Sequence, residues 1–568
     1  MHFLPRPIAR AFLAVAMLAG AATVVRAQQT APTPVGQPAP APTLRPTPDA
    51  QAPAGPVRSI SIDEAVDLAL HQNLGIQIER LNPQLQDYTI AQALANYTPV
   101  FGGGINWRNQ DQPPSSFLSG SSDTITSQNF GGNAQVQKFF PTGTNVLASW
   151  DSARATTNND FSSFNPQLAA NVDVQVTQPL LRNFKFDTVR QQVYQGRKFR
   201  EIADVNLQQN IAGTTRQVKL AYWNYVYNIN SLEVARQSLD LAQESLRNTK
   251  SRVEIGTLAP IDVVQAESEV ASREEAVILA EAAIGQSEDL LRTLIFDPKT
   301  PEFWTMNLKP TDMAPFQLQA VDLNGAVSRA LQERTDLMTA RKQMDITDYN
   351  LKYYKNQTLP GLNLQLNYNS TGLGGTQLVR GGDGFPPPVI DTIDKSYWST
   401  LGDVFRNKYP TWQVALNVSY PLGTSVADAS YARAKVEKSQ SDLNLRDLEL
   451  GVVSQVRDGA RQLLANAKRV DATRSARVLA ERRLEAEEKK FAAGMSTSFE
   501  VFQAQRDLAQ AKSNELRAVL DYNNSQVDFE TVQIAPLSGG SSGAAGGSTL
   551  AGATGSVLSG AASGATGP

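Results

Sequence analysis

The side chains that could carry chemistry here are few. Among 568 residues there is no cysteine, and the two histidines are His2 and His71. That excludes thiol chemistry, disulfides, zinc fingers and any histidine-based triad or metal site. His71 lies beside Gln72 and Asn73 on a helical pattern, as an ordinary surface or packing residue would. No paired acids, nucleophile motif, phosphate-binding loop or metal-ligand spacing occurs, so an enzyme is not expected, nor a cofactor or a metal. The formal net charge of −3 is small for this length and gives no footprint for nucleic acid. What remains is electrostatic. Asp262 and Glu500 each stand a few residues after a glycine, Gly256 and Gly494, at the start of a helical pattern, where an acid also favours the positive end of the helix dipole.

Those two acids belong to copies of one element. Ser251–Ser272 (SRVEIGTLAPIDVVQAESEVAS) and Lys490–Gln510 (KFAAGMSTSFEVFQAQRDLAQ) align at a constant offset, Gly256 on Gly494, Val263 on Val501, Gln265 on Gln503 and Ala266 on Ala504. Each copy reads as a long helix, a glycine-centred turn and a returning helix, so the chain is duplicated around two helical hairpins. The helical pattern from Asp187 to about Arg252 runs some 65 residues, ~100 Å at ~1.5 Å per residue. Its return, Ile261–Ile295, places Val263, Val270, Val277, Ile284 and Leu291 at sevenfold spacing, with Ala266, Ala280 and Leu294 beside them. Val501, Ala504, Leu508, Ala511 and Ala518 repeat the scheme. Knobs this small let helices tile side by side.

Before each hairpin the period changes from helix to strand. Phe101–Arg108 sets Phe101, Ile105 and Trp107 on one face. Asn171–Thr177 alternates more cleanly, and Leu362–Tyr368 and Trp412–Tyr420 repeat the pair in the second half. A soluble sandwich would turn the apolar face into a core, whereas a transmembrane barrel turns it to lipid. The barrel is favoured because the strands are few and isolated between long helices. Trp107, Trp150, Trp398 and Trp412 fall in these strands and their loops, as an interfacial belt would place them. Four strands cannot close, and an open edge is not tolerated in hydrocarbon, so the chain must oligomerise; three copies give twelve strands. Residues 134–150, around Pro141-Thr142-Gly143-Thr144, look like a further hairpin that either stands above the membrane, as we expect, or adds to the barrel. Asn109–Asn129 and Ser370–Tyr409 read as exposed caps.

At the front, Arg6 and Arg10 precede an apolar run, Ala11–Val25, followed by Ala27 and Gln28. This predicts a secretory signal over 1–27, too short to span a bilayer. Residues 28–57 form a Pro/Ala-rich linker. Ordered structure opens with a capping box, Ser61 to Glu64, on a helix from Asp63 to about Asn96 kinked near Pro83. The expected divisions are a first repeat over 58–297 with its tip near 253–262, a connector over 298–319, a second repeat over 320–537 with its tip near 491–500, and a disordered Gly/Ser/Ala tail over 538–568.

In this order and duplicated, IDEAVDLAL and its echo LNGAVSRAL, the strand segments LPGLNLQLNY and WQVALNVSYPL, and the tips IGTLAPIDVVQAE and AGMSTSFEVFQAQ resemble the TolC-like family of outer-membrane efflux proteins, over nearly all of Ser59–Leu537. The resemblance implies a mixed, mostly α-helical fold. Duplicated hairpins would form a periplasmic α-barrel, and four strands per chain would join a trimeric β-barrel in outer-membrane lipid. It implies an exit duct for efflux or type I secretion. The partners would be a periplasmic adaptor and an inner-membrane pump of the RND, ABC or MFS type. Carried over, the aperture acids fall on Asp262, Glu500 and Gln503, the last without charge, and the adaptor contacts on Gly256, Thr257, Leu258, Gly494, Met495 and Ser496. The basic residue that ties the tip shut in the best-known member falls on Ser496, so that lock is missing. A secreted coiled-coil structural or adhesive protein would account for the heptads but not for the alternating strands.

Overall fold

The computed structural model describes residues 56–115, 123–299, 303–312 and 320–537. The predicted signal, nearly all of the linker, part of the connector and the tail lie outside the described residues. The rest forms two repeats of helices that flank one sheet.

In the first repeat, β1 (Val57–Ile60) leads into α1 (Ile62–Gln72), α2 (Leu74–Glu79) and α3 (Asn82–Ala95). Ser61 caps α1 by accepting the Glu64 amide at 3.2 Å, but the Glu64 carboxylate turns instead to Arg58 at 2.9 Å, so half of the expected box forms. The single kinked helix expected over 63–96 is three pieces. Asn73 adopts an extended conformation and caps α2 with its own side chain, which also donates to the Leu294 carbonyl at 3.0 Å; Pro83 opens α3 rather than bending it.

Two long rods carry the molecule. These are α4 (Thr188–Glu254) and, in the second repeat, α9 (Val426–Ala492), 67 residues each. They are followed by returning helices α5 (Pro260–Ile295) and α10 (Ser498–Val532). Asp187 and Ser425 fix the starts of the rods by side-chain caps. The rods lie in the order α5, α4, α10, α9, so the two hairpins meet along α4 and α10. Arg216 reaches Asp528 at 2.6 Å and Lys219 reaches Glu530 at 3.3 Å across that seam. The second repeat enters through α6 (Leu323–Glu333) and α7 (Thr335–Gln357), which is continuous where α2 and α3 are broken.

Midway along the rods the connector supplies β6 (Asn307–Pro310), which pairs in parallel with β1. Two buried tyrosines one turn apart on α4 hold this pair: Tyr222 donates to the Ile60 carbonyl at 3.1 Å and lies 3.0 Å from Asp312, and Tyr225 donates to the Leu308 carbonyl at 2.5 Å. Burial pushes the Tyr222 phenol up to about 12 and raises Tyr225 as well. Around them Ala65, Ala69, Val218, Leu291 and Ile295 form the core of the first repeat. Ala326, Ala330, Val452, Val456 and Val532 form that of the second. In both, paired alanines let a short helix sit close on its rod.

The sheet departs from expectation. Its strands are β2 (Val100–Gln112), β3 (Ile125–Phe139), β4 (Asn145–Thr157), β5 (Phe164–Pro179), β7 (Gly361–Arg380), β8 (Val389–Lys395) and β9 (Pro410–Ser419). The order is β2-β3-β4-β5-β7, with β8 and β9 sharing the far edge of β7, and every pairing is antiparallel. Seven strands, not four, are present among the described residues. The hairpin around Pro141–Thr144 is not set apart from the sheet. It inserts as β3 and β4 between β2 and β5, which were expected to pair directly, and Gly143 takes its turn at φ +83°. The loop expected over 370–409 is largely structured: the end of β7, β8 and a short helix, α8 (Tyr397–Phe405). α8 lies against Gly372 and Gly374, where a side chain would collide with Thr400. No helix among the described residues is long and apolar enough to cross a membrane.

Candidate functional site: the paired hairpin tips

Each rod ends in the same way. At the end of α4, Gly256 takes φ +81°, its amide donates to the Val253 carbonyl at 2.9 Å, and the Thr257 amide closes on Arg252 at 2.9 Å. At the end of α9, Gly494 takes φ +75°, with its amide on Phe491 at 3.1 Å and that of Met495 on Lys490 at 2.8 Å. These are left-handed helix caps, which glycine alone adopts without strain. Apart from the adjoining residues of the chain, no atom of the described residues stands within 4 Å of where a β-carbon would be at either glycine, so both caps face open space. Ile255, Ile261, Met495 and Phe499 are exposed around them, leaving an apolar rim at the end of the rods.

The three residues placed at an aperture by resemblance have different surroundings. The Asp262 carboxylate accepts the Ala259 amide at 3.2 Å, in the helix-starting role an acid plays there, and the Ser498 hydroxyl at 2.8 Å. It therefore ties the first tip to the second. Glu500 lies exposed in the first turn of α10; its amide is capped by Thr497, and its carboxylate has no hydrogen-bond or ion-pair partner among the described residues. Gln503 is one turn further, donating to Asp507 at 2.9 Å and accepting from Arg506 at 2.8 Å. Ser496, which takes the place of a basic lock, donates to Glu487 at 3.0 Å.

Sequence reading missed the contacts that hold the tips together. Arg252 stacks over the Phe491 ring at 4.5 Å. Arg506 and Arg273 converge on Glu269, at 3.0 Å and 2.6 Å. Below them Val501, Ala504, Leu508 and Leu484 bury one apolar patch with Leu241 of the other hairpin. The ion pairs leave little signal in the sequence: Arg273 stands on the companion heptad row of Ala266 and Ala280, and Arg506 lies two positions from both Ala504 and Leu508. Nearby acids divide. Lys490, then Ser496, hold the Glu487 carboxyl below the usual range, and Lys489 does so for Glu485. Burial, then Glu244 and Glu485, push Glu488 up.

No group of three or more acidic or histidine side chains placed to hold a metal ion occurs among the described residues. What the arrangement offers is charge and an apolar rim at the end of the long helical rods, whose other end carries the sheet.

Residues 65–295 and 326–532 match the family described as outer membrane efflux protein. The outer membrane protein TolC of Vibrio cholerae is 23% identical over 315 residues, which are 55% of this chain and 65% of that protein, just under two thirds of its length. Among solved structures, CusC aligns at a TM-score of 0.59 and 14% identity over 84% of this chain and 92% of its own. The Campylobacter jejuni outer membrane channel CmeC aligns at 0.58 and 13% over 83% and 85%. The Neisseria gonorrhoeae outer membrane channel MtrE, in its open state, aligns at 0.55 and 16% over 84% and 89%.

Proposed function

Because the chain belongs to the outer membrane efflux protein family, we propose that it is the exit duct of a tripartite efflux or type I secretion system. It passes cargo from a periplasmic adaptor and an inner-membrane pump to the exterior. The observation that carries this reading is the sheet. Both of its edges, β2 and the β8/β9 side, are unpaired among the described residues, and Phe101, Ile105, Trp107, Trp412, Val414 and Val418 are exposed on one face. Such a sheet is satisfied in a membrane only when copies of the chain close it into a ring, apolar face to lipid and polar face to water. We read the working unit as a homotrimer built from repeats over 58–297 and 320–537. Rods about 100 Å long continue the bore into the periplasm.

The rim at Gly256, Thr257, Leu258, Gly494, Met495 and Ser496 is the surface on which the adaptor seats. Asp262, Glu500 and Gln503 face the passage when three copies converge. Of these, Glu500 supplies the unneutralised charge. The test is direct. Detergent-extracted protein should run on an unheated gel as a trimer that collapses to a monomer on boiling, and in planar bilayers it should conduct. A freely soluble monomer with no conductance overturns the reading.

A further inference from the structure

Resting on that reading, we infer that the β3–β4 hairpin is part of the membrane wall. Each chain then contributes six strand widths, and a ring of three encloses an eighteen-stranded bore rather than the twelve-stranded one that four strands per chain would give. Register carries the inference. One row of cross-strand partners runs through six of the seven strands, all but β8: Phe101, Val136, Ala148, Val174, Tyr368, Trp412. The adjacent row, on the opposite face, is Gly102, Gln135, Ser149, Asp173, Asn369, Thr411. The division into an apolar and a polar face passes through β3 and β4 without a break. A hairpin standing in water above the membrane has no physical reason to keep that division in phase with strands that cross lipid.

The charges agree. On the apolar face of this hairpin the basic residues are Lys138 at the turn end, opposite Val146, and Arg154 at the far end, opposite Phe130. Between them on β3 lie Phe130, Gly132, Ala134 and Val136. Eight residues span about 26 Å along a strand, or about 20 Å of height at a ~40° tilt, close to the ~25 Å apolar band of outer-membrane barrels. Long basic side chains at both margins of such a band extend to the headgroups. Among the described residues β2 pairs with β3 and reaches β5 only through the hairpin, so taking the hairpin out of the wall would leave β2 without a partner strand.

At about 4.8 Å between strands and a ~40° tilt, eighteen strands close at a backbone diameter of about 36 Å, against about 24 Å for twelve. The membrane portion is then wide everywhere, and size selection falls to the tips.

Because the chain has no cysteine, single cysteines can carry a nitroxide label without background. The oligomer in lipid vesicles is labelled at V136C and A148C on the apolar face of the hairpin, at Q135C and S149C on its polar face, and at V414C and Q413C on β9 as the reference pair. Collision with oxygen reports lipid, and collision with a nickel chelate reports water. The expected result is that V136C and A148C follow V414C, with oxygen favoured several-fold, while Q135C and S149C follow Q413C. If the hairpin sites all favour nickel while the β9 pair still alternates, the hairpin stands outside the wall and the wide bore is wrong, with the channel intact. If the β9 pair also fails to alternate, the membrane reading itself falls. Single-particle images of the same oligomer should show eighteen strands, and twelve would overturn the inference.

Discussion

Two carboxylates at equivalent places in the duplicated tips do unlike work. Asp262 is occupied by the Ala259 amide and the Ser498 hydroxyl, while Glu500 is exposed and its carboxylate has no partner among the described residues. Like charges brought together in a constriction with low-dielectric walls reinforce one another, so Glu500, and not Asp262, should set the ion preference of the passage. Glu500→Gln is expected to lower the cation-over-anion permeability ratio in planar bilayers several-fold with little effect on assembly. Asp262→Asn should leave that ratio nearly unchanged but loosen the tip, seen as faster hydrogen exchange over 253–262. A pH dependence follows from Glu488. Its carboxyl is raised by burial and by Glu244 and Glu485, so its ionised form is penalised in the folded tip. The stability it contributes is fully present below the ordinary carboxylate range and is lost as pH rises through its raised pKa. Glu487 and Glu485, held low by Lys490 and Lys489, stay ionised through that window, and their ties are lost only at more acid pH. Protection over 240–260, taken relative to the intrinsic exchange rate at each pH, should therefore rise as pH is lowered towards the ordinary carboxylate range, and Glu488→Gln should remove that change. The acids themselves were legible in sequence as first-turn residues. Their partners were not, because Ser498, Arg252 and Arg506 meet their counterparts only through tertiary packing.

At the level of elements, period decided what could be read. The first rod was legible to within two residues, Asp187 to about Arg252 against Thr188–Glu254, since a helical pattern sustained over some 65 positions has few other solutions and the glycine cap marks where it ends. The break at Asn73 was missed because α1 to α3 share one helical pattern, and only the Asn73 side chain, by capping α2, makes an interruption stable. β3 and β4 were underread for a different reason. Gly131, Gly132, Ala134, Ala148 and Ser149 carry little side chain, so their alternation is faint until the register joins it to its neighbours. The equatorial clamp was also illegible, because it depends on contacts between distant segments, in which Tyr222 and Tyr225 hold the carbonyls of Ile60 and Leu308. Here Tyr222→Phe removes a hydrogen bond that is fully buried and leaves the Ile60 carbonyl and Asp312 with one donor fewer. A loss of about 1–2 kcal/mol is expected. It should appear as hydrogen exchange about five- to thirty-fold faster over 57–60 and 307–310, with the rods unaffected. The wild-type clamp should in turn weaken only as pH rises past the ordinary phenol range towards about 12.

The whole molecule is organised by an open sheet set on long rods. Along the rods, buried cores and ion pairs join the two hairpins, while the outer rods α5 and α9 leave Ile278, Leu279, Leu443 and Leu450 exposed; at the sheet both edges end in backbone unpaired among the described residues, which hydrocarbon does not tolerate, so assembly is decided most strictly there. Closure has a geometric signature. β2 runs away from the rods and β9 runs back towards them, so joining the β9 edge of one copy to the β2 edge of the next is antiparallel, like every pairing already inside the sheet. Side chains alternate with a period of two, so partners across the seam must share a face. On β2 the apolar face carries odd numbers, Phe101, Ile105 and Trp107; on β9 it carries even numbers, Trp412, Val414, Leu416 and Val418. Double variants joining an odd β2 position to an even β9 position, for example I105C paired in turn with V414C and L416C, should include one that forms intermolecular disulfides and yields a covalent trimer on a non-reducing gel. The same scan with N106C against V414C and L416C should yield monomers, because those side chains point to opposite sides of the wall. Cross-links independent of parity would mean that the two edges meet loosely outside the membrane, and cross-links in neither series would mean that another surface joins the copies.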